Sequence, residues 1–173
     1  LKNMYSKEKA LELLKKHNTP ERTINHSIWV WEVALEIATK INNIHPELQI
    51  NVEKVMMWWY LHDIWKSRNW DHEFNSIDIL KEEWLDEIAD IIFHWTWYEY
   101  FKLQWIERPD LLPKNLENKI VCIADCYYNQ NMQRVTLKQR FDDIFSIYRD
   151  PEVIERIKIS LPRMIDLEEE INK

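Results

Sequence analysis

The chain predicts an all-α fold, a single-domain helical bundle. Three observations lead there. Apolar residues recur at spacings of three and four through successive segments, helix-starting residues stand just ahead of several of them, and no run alternates with a period of two. At 173 residues the chain is long enough for one substantial core and short for two, so we expect one domain over residues 1–173.

The elements follow in order. Ser6 to His17 reads as a first helix carrying Leu11, Leu13 and Leu14, and Asn18-Thr19-Pro20 ends it. Thr19 is placed to cap the second helix, with Pro20 at its first position. That helix runs to about Asn42, with Val30, Val33, Ala34, Ile37, Ala38 and Ile41 as its apolar stripe. Asn51 can cap a third helix, Val52 to Ile64, whose apolar positions cover most of its surface. It should be central and largely buried. A fourth helix is expected from His72 to Glu83 and a fifth from Leu85 to about His94. From Trp95 to Pro113 the chain is aromatic and irregular, with room for a short helix, and reads equally as a lid or substrate wall and as a hydrophobic flap over the core. A clean helix returns from Asn115 to about Asn129, and Thr136 and Asp150-Pro151 start two more. Pro162 should kink or split the last of these.

Composition narrows the function. A formal net charge of −7 argues against a nucleic-acid surface. It leaves a phosphorylated substrate open, because bound cations dominate the field where they sit. Cys122 and Cys126 form no disulfide framework and suggest two free thiols in a reducing compartment. The opening LKNMYSKEKA has no apolar signal core, and no apolar run is long enough to cross a bilayer, so the expectation is a soluble cytoplasmic protein without a membrane partner.

The chemistry concentrates where the third helix ends. There the apolar run VMMWWYL gives way to adjacent His62 and Asp63, and a carboxylate among hydrocarbon is costly unless a cation or donors compensate it. His26 lies four residues before Val30 and so continues the buried stripe of the second helix. Asp125 is a further acid embedded in an apolar helix, and His72 and His94 stand at helix ends. Together His26, His62, Asp63 and Asp125 could fill one metal site, and His72 and His94 could supply a second. Mixed imidazole and carboxylate donors suit Mn, Fe, Co, Ni or Zn, while Mg prefers more oxygen. Such ions lower the pKa of bound water toward about 7, and a pair can clamp both oxygens of a phosphoryl displacement. Lys66 and Arg68 follow closely enough to contact phosphate oxygens. Each residue also has a plain reading: a core or surface histidine, a hydrogen-bonded aspartate, a cap at His72, a solvated loop at Lys66 and Arg68.

HSIWVWEVA (26 to 34), LHDIWKSR (61 to 68), DHEFNSIDIL (71 to 80), IIFH (91 to 94) and KIVCIADCYY (119 to 128) together resemble the signature of the HD-domain metal-dependent phosphohydrolases, in particular small stand-alone prokaryotic members. The similarity covers about residues 8–130 and weakens over the C-terminal helices, about 136–172. It implies an HD-type helical bundle holding one or two divalent ions, with His26, His62, Asp63 and Asp125 on the first and His72 and His94 on the second. It implies hydrolysis of a nucleotide or other small phosphoester by attack of metal-bound hydroxide. Asp63, Lys66 and Arg68 are then the candidate catalytic residues. The glycine-tyrosine-proline signature of the cyclic dinucleotide branch is missing, which disfavours that substrate. The rival expectation is an inactive nucleotide-sensing or protein-binding module on the same scaffold.

One departure is systematic. Relatives read HDIGK or HDIGR where this chain has HDIWK, and Trp70, Trp84, Trp95 or Trp97, and Trp105 also fall where relatives carry turn or cap glycines. The chain has ten tryptophans and no glycine. We read this as a codon decoded as glycine in the source organism and written as tryptophan.

Overall fold

The computed structural model describes residues 5–64, 72–89 and 96–173, with the side chains of residues 72–74 outside the description. Its elements are α1 (Lys7–Lys16), α2 (Glu21–Ile44), α3 (Val52–Leu61), α4 (His72–Glu82), α5 (Asp86–Ala89), α6 (Trp97–Leu103), α7 (Leu116–Ala124), α8 (Leu137–Ile147) and α9 (Pro151–Ile171), with short 3-10 turns between some of them. The architecture is all-α, as the apolar spacing predicts. Among the described residues there is no strand, only an isolated bridge between Tyr128 and Arg134. The chain forms two compact units, Leu1–Ile92 and Phe93–Lys173.

In the first unit α3 packs against α2 and α1. Val55, Met57, Trp58, Trp59, Tyr60 and Leu61 are all buried, so α3 is the central helix its composition predicts. Burying an aliphatic or aromatic side chain of this size contributes about 1.5–3 kcal/mol. From α2 the stripe Val30, Val33, Ala34, Ala38 and Ile41 is buried as expected, with Ile37 only partly so. Asn51 caps α3 by accepting from the Lys54 amide at 2.9 Å, satisfying one of the donors a helix start leaves over.

Thr19 is not the cap expected of it. Residue 20 takes the N-cap position of α2 without a side-chain cap bond, and the helix proper starts at Glu21. The Thr19 hydroxyl instead donates to the carbonyl of Ile64 at 2.7 Å, across the unit. A tertiary partner has outcompeted the local one.

In the second unit α9 packs against α6, α7 and α8. Asn115 opens α7 with a capping box completed by Asn118, and Thr136 opens α8 with one completed by Gln139. Asp150 caps α9 with Pro151 at its first position. Pro162 does not split α9, which runs unbroken from Pro151 to Ile171. Its ring removes the amide that would bond the carbonyl of Lys158, and both residues are on the exposed side, where water can take that role. The helix expected from Asn115 to Asn129 ends earlier, tightening into a 3-10 turn over Asp125–Tyr127. The aromatic stretch after Trp95 does contain the short helix allowed for, α6. A bidentate ion pair ties it to α9: Arg163 Nε donates to Glu99 Oε1 at 2.7 Å and its second nitrogen to Oε2 at 3.1 Å. Arg156 of α9 lies over the rings of Trp97 and Tyr100 on the same helix.

Candidate metal centre

Two helices build the site in the first unit. His26 sits one turn before the fully buried Val30, so the register of α2 that fills the core also carries the imidazole inward, leaving it half-buried. His62 is the C-cap residue of α3, and the chain beyond it closes with a bond from the Ile64 amide to the Leu61 carbonyl at 3.1 Å. Thr19 holds that closing turn by its bond to Ile64. Adjacent residues on a regular helix point about 100° apart. At this helix end both side chains reach one place: His62 Nε2 lies 3.3 Å from Asp63 Oδ2.

The remaining distances complete the cluster. The rings of His26 and His62 have centroids 5.7 Å apart, and one donor atom from each of His26, His62 and Asp63 lies within 4.8 Å of the others. Donors bound to one ion at about 2.0–2.2 Å stand up to about 4.4 Å apart, and the 4.8 Å bound brings these three close to that span. Among the described residues this is the group of three or more such side chains that could hold a metal.

The donor chemistry fits a cation. The Trp59 carbonyl, an acceptor, lies 2.7 Å from His62 Nδ1, so that nitrogen carries the hydrogen. In the neutral ring the lone pair is then on Nε2, the nitrogen facing Asp63. Two acceptors 3.3 Å apart repel unless a proton or a metal ion lies between them. This is also the arrangement in which a metal-ligating histidine is oriented by a backbone carbonyl. Trp59 further restrains the ring through an edge contact with centroids 4.9 Å apart. His62 is 2 % exposed and Asp63 is 1 % exposed, where an uncompensated carboxylate would be costly. The C-terminal end of α3 adds the negative end of its dipole, which favours a cation as well. The cluster is thus able to coordinate a divalent metal ion through two imidazoles and one carboxylate.

The other expected ligands stand as follows. Asp125 belongs to the second unit, buried where α7 passes into its 3-10 turn. His72 opens α4, but its side chain lies outside the description. Lys66, Arg68 and His94 lie outside the described residues, as does Trp65. Two contributors escaped the sequence reading, the Trp59 carbonyl and the Thr19 hydroxyl. The first follows from the helical register once His62 is taken as the end of α3, since it lies three residues back; nothing local announces the second.

Residues 23–130 match the family model described as HD domain. The chain belongs to the HD domain family. No curated protein and no solved structure matched it. An HD domain carrying a His26, His62 and Asp63 ligand triad is consistent with metal-dependent phosphohydrolase chemistry, and the motif residues and the family together support a phosphohydrolase enzyme. No helix of the described residues is long and apolar enough to cross a membrane.

Proposed function

We propose that this HD domain hydrolyses a small phosphorylated substrate, a nucleotide foremost, in the cytoplasm. The observation that carries the reading is the convergence of His26, His62 and Asp63 from two helices onto one buried point. A divalent cation held there would supply a water of lowered pKa and neutralise charge on a phosphoryl group. The chain's own part is to hold the donors ready: α2 presents His26, the Trp59 carbonyl orients His62, and the Thr19 bond fixes the turn behind Asp63.

The family resemblance would add Asp125 to the first ligand set and give His72 and His94 to a second. Lys66 and Arg68 follow Asp63 by three and five residues and would bind the equatorial phosphoryl oxygens, Lys66 as a point charge and Arg68 as a planar fork. The net charge of −7 supports a small ligand gathered by local cations over a nucleic-acid polymer. Two buried cysteines that form no disulfide fit a reducing compartment.

The test is metal analysis of the purified protein, followed by nucleoside mono-, di- and triphosphates and dinucleotides offered with Mn, Co, Ni or Mg. Turnover should appear with at least one pair and vanish in Asp63→Asn. Metal bound by the native protein without turnover of any substrate would point to a sensing module instead.

A further inference from the structure

Three helices of this chain end in the same hydrogen-bond pattern. After α1 the Thr19 amide bonds the Leu14 carbonyl and the Asn18 amide that of Lys15; after α4 Leu85 bonds Leu80 and Trp84 bonds Lys81; after α6 Ile106 bonds Phe101 and Trp105 bonds Lys102. Each is a Schellman ending, in which the residue just past the cap must turn left-handed. The φ values are 54° at Asn18, 61° at Trp84 and 61° at Trp105.

Glycine takes this position at no steric cost, and asparagine at little because its side chain can bond locally. Asn18 obeys that rule. Tryptophan has neither property, and a bulky residue there needs packing to hold it. None is present: Trp84 is 86 % exposed and Trp105 is 96 % exposed. Left-handed Gln49 and Met132 show that the backbone accepts an occasional side chain, but neither closes a Schellman ending.

The composition gives the second, independent observation. A chain of 173 residues with ordinary usage would hold about a dozen glycines. This one has none, and two of its ten tryptophans stand where the backbone is left-handed. We infer that the protein as the cell makes it carries glycine at positions 84 and 105, through a codon written here as tryptophan and decoded there as glycine. Tryptophan has the single ordinary codon UGG, so the reassigned codon is its neighbour UGA. The same decoding makes glycine the expected residue at Trp65, two positions past Asp63.

Two experiments test this. Tandem mass spectrometry of the protein from its native host should read glycine in the peptides covering positions 84 and 105, with position 65 read from the same digest. Tryptophan at 84 or 105 overturns the inference. In recombinant protein, Trp84→Gly and Trp105→Gly should each raise Tm by roughly 2–4 °C over the matching Trp84→Ala and Trp105→Ala variants, because alanine removes the indole and keeps the Cβ. Equal Tm for the glycine and alanine variants would remove the conformational ground.

Discussion

At the scale of single residues, identity and surroundings together set what a group can do. Cys122 and Cys126 are both fully buried, and burial pushes the Cys122 thiol up to about 11 and Cys126 well above its ordinary 9.0. At pH 8 only roughly a thousandth of such a thiol is ionised, and the thiolate is the reactive form. Neither cysteine should react with a thiol reagent such as DTNB in the native protein at pH 8, and both should react in denaturant; prompt labelling of the folded chain would contradict this burial. His62 illustrates the converse, a residue whose environment orients it for use. Its adjacency to Asp63 is plain in the sequence, but which nitrogen faces the acid is decided by a bond to the carbonyl of Trp59.

At the scale of elements, each unit has its own internal ion pairs, and they differ in worth. Within the second unit Glu99 is 3 % exposed and its partner Arg163 is mostly buried, so removing one member strands the other's charge. Glu99→Ala should cost about 3–5 kcal/mol, read from urea unfolding, while the double replacement Glu99→Leu with Arg163→Met should recover much of it. Within the first unit Glu83, after α4, accepts from Lys16 and His17 at the end of α1, and these bonds hold its carboxyl below the usual 4.5. A depressed folded-state value means that the unfolded chain takes up the proton first as pH falls. The contribution is therefore full above pH 4.5 and is lost as pH drops through the lower folded value. Lys16 is well exposed, so the effect is at most about 1 kcal/mol. Glu83→Gln should lower Tm at pH 7 by roughly 2–4 °C and make no difference near pH 2. A gap that persists in acid would assign the loss to packing.

At the scale of the whole molecule, a cation that binds only the folded chain stabilises it by mass action. Divalent metal at a hundred times its Kd should add about 2.7 kcal/mol, visible as a rise in Tm that Asp63→Asn and His62→Ala both abolish. An equal rise in the variants would mean that the ion acts on the net charge of −7 rather than at the triad. Much of the fold was legible because its determinants are local: the cap residues Asn51, Thr136 and Asp150 bond amides two or three residues away, and apolar spacing marks each buried face. Thr19 was misread because its partner, Ile64, lies 45 residues along the chain. Glu99 gave no sign of Arg163 for the same reason, with 64 residues between them. The order of amino acids by itself determined the helices, the burial of α3, and the candidate donors with their family, since these depend on residue type at short range. Only the tertiary structure decided that His26 meets His62 and Asp63, because a shared ion requires side chains from α2 and α3 to come within a few ångströms, and helix packing sets that distance.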